Sequence, residues 1–125
     1  QGILLFLGVE ETDQETDLEY MCEKIPNLRI FEDENGKMNK SLLDVKGSIL
    51  VISQFTLLGD ARKGRRPSFT DAAKPEKAIP MYEKFIACMK EKNITTQSGE
   101  FGAEMEVELI NDGPVTILLD SKKVF

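Results

Sequence analysis

The stretch Ser48-Ile49-Leu50-Val51-Ile52-Ser53-Gln54-Phe55-Thr56 decides the fold. Four consecutive apolar residues, three of them β-branched, read as a central strand that ends in polar groups. Upstream, Ile3 to Val9 is a second apolar run, stopping near Gly8. After it, Thr12-Asp13-Gln14-Glu15 reads as a capping box, and Leu18, Met21, Cys22 and Ile25 share a helical face that Pro26 closes. Arg29-Ile30-Phe31 is a short strand, and Asp33-Glu34-Asn35-Gly36 is a turn. Downstream, Pro75 to Lys92 is amphipathic, with Ile79, Tyr82, Phe85, Ile86 and Met89 on one side and Pro80 inside the span. Thr95 to Ser98 is a further strand. Met105, Val107 and Leu109 alternate with Glu104, Glu106 and Glu108, the mark of a half-exposed strand. Asn111-Asp112-Gly113-Pro114 turns the chain, and Val115 to Leu119 is expected to pair back. These elements predict a single α+β domain over residues 1–125, with a mostly antiparallel sheet or partial barrel and two longer helices.

Composition narrows the function. A chain of 125 residues can bury about two-thirds of its unfolded surface, enough for its own core. No apolar run reaches the ~20 residues of a membrane span. The first residues, Gln1-Gly2-Ile3-Leu4-Leu5, lack the basic start of a signal peptide, and a cytoplasmic location is expected. The net charge of −6 argues against long duplex nucleic acid as a bulk partner, because such binding needs an extended basic face. Cys22 and Cys88 lie far apart and fit neither a metal spacing nor a disulfide framework, so reduced, buried thiols are expected. The acidic groups Glu32-Asp33-Glu34 and Glu104/Glu106/Glu108 are solvated faces without metal-site spacing. No metal and no cofactor are expected.

The chain contains no histidine, so chemistry here runs without an imidazole. At Ser53-Gln54-Phe55-Thr56, side chains alternate in direction: Ser53 and Phe55 point one way, Gln54 and Thr56 the other. The plain reading is a strand end with ordinary hydroxyls. The functional one is that exposed amides, helped by Gln54 or Thr56, hold a developing oxyanion, which is worth roughly 3 to 4 kcal/mol per donor. A hydroxyl nucleophile needs a neighbouring base, and neither lysine nor carboxylate adjoins this motif. That weakens a covalent route through Ser53 or Thr56. At Gly113-Pro114, an X-Pro bond adopts the cis form at a cost of only about 0.5 to 1 kcal/mol. The unit is either a plain hairpin turn or a rigid backbone reader of a substrate's ammonium group or Cα substituent. Arg62-Lys63-Gly64-Arg65-Arg66 concentrates cations in an acidic protein. It is either a solvated loop or a phosphate-binding one, with Phe69 placed to stack on a base or wall a pocket.

In this order and spacing, the two motifs resemble those of the D-aminoacyl-tRNA deacylases (D-tyrosyl-tRNA(Tyr) deacylases). So do Arg66-Pro67-Ser68-Phe69, Thr96-Gln97-Ser98-Gly99-Glu100-Phe101, Leu7-Gly8-Val9, Arg29-Ile30-Phe31 and Gly36-Lys37-Met38-Asn39. The likeness runs from Gly2 to about Leu119. It implies hydrolysis of the ester joining a D-amino acid, or glycine, to the 3′-terminal adenosine of tRNA, with no metal. It also implies a homodimer whose cis Gly113-Pro114 unit enters the partner's pocket and excludes L-amino acids. Ser53, Gln54, Phe55 and Thr56 would line the catalytic pocket, with amides near Phe55 and Thr56 holding the oxyanion and the tRNA 2′-hydroxyl assisting attack. Gly113, Pro114, Phe69, Met105 and Asn111 would bind substrate; Arg62, Lys63, Arg65 and Arg66 would bind tRNA. Members of that family begin with a further N-terminal segment whose first strand braces the Gly-Pro unit, and this sequence opens without it. Three other readings compete: a serine or threonine esterase, a non-catalytic module binding the tRNA acceptor end or other nucleic acid, and a purely structural dimer subunit.

Overall fold

The computed structural model describes residues 1–125. Its centre is the quoted stretch: β4, Ser48–Ser53, lies between β1, Gly2–Leu7, and β5, Thr95–Ser98. Both pairings are parallel, in register from Gly2↔Ser48 to Leu7↔Ser53 and from Ser48↔Thr95 to Val51↔Ser98. The expected mostly antiparallel sheet or partial barrel is therefore overturned. The main sheet is wholly parallel and open, while the class, α+β, stands. Parallel neighbours require crossover connections. Here α1, Glu15–Asn27, lies in the crossover from β1 to β4, and α3, Pro75–Glu91, joins β4 to β5. The only antiparallel ladder joins β2, Phe31–Glu32, to β3, Met38–Lys40. It surrounds the expected turn, where Gly36 takes φ +73°.

Local signals explain the helix ends. The α1 cap sits two residues later than the expected capping box: the Gln14 N–H donates to Asp17 Oδ2 at 2.8 Å. That bond, with one from Ser121, holds the Asp17 carboxyl below its ordinary pKa. Pro26 is the penultimate residue of α1 and not its terminator. Pro75 opens α3, where its missing N–H costs nothing. Pro80 is accommodated one turn later. The short α2, Leu42–Val45, is held by a reciprocal box in which Ser41 N–H donates to Asp44 Oδ2 and Asp44 N–H to Ser41 Oγ.

The apolar faces of α1 and α3 cover one side of the sheet. Phe85, Met89, Leu42, Ile49 and Val51 are essentially inaccessible, and Leu18, Cys22, Ile25 and Tyr82 complete the cluster. Ion pairs Lys84–Glu15 and Lys92–Glu23 bind α3 to α1 along the outer seam, so the two helices run in the same direction. Cys22 and Cys88, distant in sequence, both reach this seam as free thiols.

The C-terminal part departs from expectation. Met105 to Ile110 and Val115 to Leu119 form no strands and share no backbone hydrogen bonds. Several of their apolar side chains stay in water, Ile110 at 94% exposure and Leu118 at 70%, while Leu119 packs against the core. Residues 103–119 thus form an unpaired ribbon. Its far end is fastened by Lys122, which pairs with Glu10 and Asp13 in the loop before α1.

Candidate active site

The carboxyl ends of parallel strands are where open sheets of this kind bind ligands, and the polar motif lies there. Gln54 extends the β1–β4 ladder by one bond, its N–H donating to Leu7 O at 2.9 Å. The chain then tightens into a 3₁₀ turn, Phe55–Leu58. Gly8 permits this turn, since a Cβ there would lie 2.7 Å from Leu58 Cδ2 and 3.3 Å from Gln54 O. The N–H groups of Phe55 and Thr56 open the turn and so have no acceptor within it. No turn or loop hydrogen bond of the backbone uses them either. Both residues are exposed. Two free amide donors therefore stand side by side at the sheet's edge.

The Gln54 side-chain Nε2 donates to Thr56 Oγ1 at 2.9 Å. An amide cannot remove a proton, so the Thr56 hydroxyl is oriented but not activated. Phe55 meets Phe69 edge to face, with centroids 5.3 Å apart, forming an apolar wall beside the amides. Met105 approaches from the ribbon: a Cβ on Gly99 would fall 2.6 Å from its Sδ and 3.2 Å from Ile52 Cδ1. Ser53 is half-buried at the strand end.

Asn111, expected to bind substrate, spends its side-chain amide within its own loop. Its Oδ1 accepts from Val115 N–H and its Nδ2 donates to Thr116 Oγ1, both at 3.1 Å. It is a clasp across the base of the turn. Held in that clasp, the Gly113–Pro114 bond is cis and Gly113 takes φ +128°. The turn tip is exposed. Within one chain no hydrogen bond or aromatic contact links it to Ser53–Thr56.

The basic loop is closed at its base by two bonds between Asp60 and Ser68, at 2.7 and 2.9 Å. Arg62 is committed inside it. Its Nε and Nη2 grip the two Asp60 oxygens at 2.9 and 2.6 Å, and this holds the Asp60 carboxyl down at about 2. Lys63, Arg65 and Arg66 are exposed and form no ion pair, so three of the four cations remain available to phosphate.

Tyr82 is the residue that sequence reasoning placed only in the core. Its hydroxyl donates to Val51 O at 2.9 Å, with Gly99 O 3.4 Å away, while Gly99 N–H also donates to Val51 O. From α3 it thereby latches the ends of β4 and β5 just before the polar motif. A tyrosine in an apolar stripe was the available signal, because a buried phenol needs an acceptor.

Free backbone amides beside an apolar wall, in a chain without histidine, are the groups that an ester-hydrolysing site built from main chain requires. Residues 1–120 match the family described as D-Tyr-tRNA(Tyr) deacylase, and the chain belongs to that family. It is 62% identical over 126 residues to the D-aminoacyl-tRNA deacylase of Thermosipho melanesiensis, covering all of this chain and 84% of that one. Against the D-aminoacyl-tRNA deacylase of Clostridioides difficile identity is 59%, with the same coverage. Among solved structures, the c-Myc DNA Unwinding Element Binding Protein superposes with a TM-score of 0.85 at 43% identity, over 94% of this chain and 80% of that one. The family assignment does not favour the non-catalytic binding module. No helix is long and apolar enough to cross a membrane.

Proposed function

We propose that this chain carries out its family's reaction, hydrolysis of the ester of D-aminoacyl-tRNA (with glycyl-tRNA as a further substrate), at the 3₁₀ turn after β4. The observation that carries this reading is the pair of unengaged N–H groups on Phe55 and Thr56. As the ester carbonyl becomes tetrahedral, its oxygen gains charge, and two fixed donors stabilise that state more than the ground state. Each such donor is worth roughly 3 to 4 kcal/mol. Thr56, whose hydroxyl accepts from Gln54, orients the site. Attack comes from water, assisted by the 2′-hydroxyl of the terminal adenosine. Phe55, Phe69 and Met105 supply the apolar wall against the amino-acid side chain or the base. Lys63, Arg65 and Arg66 hold backbone phosphates, with Arg62 bracing their loop through Asp60.

Chirality is read by Gly113-Pro114. The tip is exposed and shares no hydrogen bond with Ser53–Thr56 of its own chain. A homodimer in which each chain's tip enters its partner's site unites the two clusters and covers the apolar side chains of the ribbon. Main-chain carbonyls then stand where the side chain of an L-amino acid would lie, and selection works by exclusion.

The deciding measurement is hydrolysis of matched D- and L-tyrosyl-tRNA. Rapid loss of the D ester with the L ester intact is the expected result. Equal cleavage of both would remove the Gly113-Pro114 reader from the proposal. Binding of tRNA without cleavage of either would refute the hydrolase.

A further inference from the structure

The seam between α1 and α3 holds a feature that ester hydrolysis does not use. Helices running in the same direction are bracketed by the ion pairs Glu15–Lys84 and Glu23–Lys92. Between these brackets a cavity of about 280 Å³ is lined by Cys22 and Cys88, with Glu15, Lys84 and Glu91 around it. Cys22 is buried, while Cys88 is half-buried. Burial first, then the neighbouring Cys88 thiol, pushes the Cys22 thiol up to about 12. Cys22 thus stays protonated at neutral pH, and Cys88 is the more accessible of the two thiols. None of the residues lining this cavity belongs to the ester site.

We infer that Cys22 and Cys88 form a reversible dithiol–disulfide site, oxidised by a peroxide and reduced by a dithiol. The steps follow from the two environments. The Cys88 thiolate attacks one peroxide oxygen; an S–O bond forms, the O–O bond breaks, and the departing oxygen leaves as hydroxide or an alkoxide. The Cys22 sulfur then attacks the resulting Cys88 sulfenic acid. An S–S bond forms, the S–O bond breaks, and water leaves with the proton that Cys22 gives up. Two thiols are oxidised and one peroxide is reduced. A buried partner beside an accessible thiol favours this intramolecular step over further oxidation of Cys88. The product ties α1 to α3 across a seam otherwise closed by apolar packing and two exposed ion pairs.

The test uses hydrogen peroxide on the native full chain, followed by non-reducing trypsin digestion and mass spectrometry. The expected result is a protein lighter by two hydrogen atoms, with the peptide ending at Lys24 linked to Phe85–Lys90. Dithiothreitol should restore the starting mass. Cys22→Ser should instead accumulate sulfenic and sulfinic acid on Cys88, and Cys88→Ser should resist peroxide at Cys22. Wild-type protein in which Cys88 advances to sulfinic acid while Cys22 stays a free thiol would overturn the inference. So would linkage only between chains. Because the wild type alone distinguishes these outcomes, poor folding of either variant does not blunt the test, and failure of the ester-hydrolysis reading leaves it untouched.

Discussion

The sheet half and the ribbon half of this molecule are built from similar sequence and end in opposite states. In β4, Ile49, Val51 and Ile52 are buried, and the strand is hydrogen-bonded along both edges. In residues 103–119, Met105 and Leu109 alternate with glutamates and Ile117-Leu118 forms an apolar run, yet no ladder forms and these side chains remain exposed. Apolar alternation therefore specifies a face that wants covering. It does not specify a backbone that finds partners. The sheet acquires both from the two crossover helices of its own chain. The ribbon acquires only end fastenings, and its turn is shaped by one local clasp.

The contrast can be broken first from the sheet side. Phe85 is fully buried under the sheet, and Phe85→Ala should cost about 3 to 5 kcal/mol. Urea unfolding measures it, and a loss under about 1 kcal/mol, far below this range, would show that the core is not centred where the burial places it. On the ribbon side, Gly113→Ala puts a side chain at φ +128° and a Cβ 2.8 Å from Val115 Cγ2. Turnover of the D ester should fall roughly 10²-fold, the scale of a misplaced catalytic group, while the urea midpoint stays near wild type. A variant that unfolds readily but turns over normally would reverse the assignment of roles.

Tyr82→Phe probes the junction between the halves. Removing the hydroxyl takes one of the donors from Val51 O and should cost about 1 kcal/mol of stability. It should also lower kcat more than it raises KM, since the amides of Phe55 and Thr56 lie just beyond that latch. An unchanged kcat would confine Tyr82 to the core. The smallest effect is expected at Lys122. Its hydrogen bonds to Asp13, and then to Glu10, raise its pKa above the ordinary lysine value. A raised pKa in the folded state means a contribution fully present below the unfolded pKa of ~10.4, fading as pH rises through the folded value. The stability gap between wild type and Lys122→Met should thus hold level up to about pH 10 and narrow above it. A gap that widens with pH would contradict the ion pairing.

Much of this was legible in the residues, and the rest was hidden for identifiable reasons. Apolar runs located β1 and β4, helical spacing located α1 and α3, and Asn35-Gly36 marked the β2–β3 turn. Strand direction was not legible from those runs alone. The antiparallel expectation came from the closing hairpin, which proved unpaired. Positions of the polar motif and the Gly-Pro turn were visible, but partners were not. That Arg62 is spent on Asp60, that Asn111 closes its own loop, and that two distant cysteines share one cavity depend on folding the intervening chain. The family resemblance supplied the substrate class, which no spacing rule contains.

One fastening has a consequence for reach. The ribbon leaves the sheet at Gly99, fixed to Val51, and returns to Lys122, fixed to Asp13 and Glu10. With its ends moored just past the carboxyl ends of β5 and β1, the segment behaves as a gauge of set length, and the cis turn is its tip. Each residue added to an arm carries that tip outward by about 3.3 Å, more than a hydrogen bond's length. The number of residues between the moorings, rather than their chemistry, sets how deep the tip can sit in whatever pocket receives it.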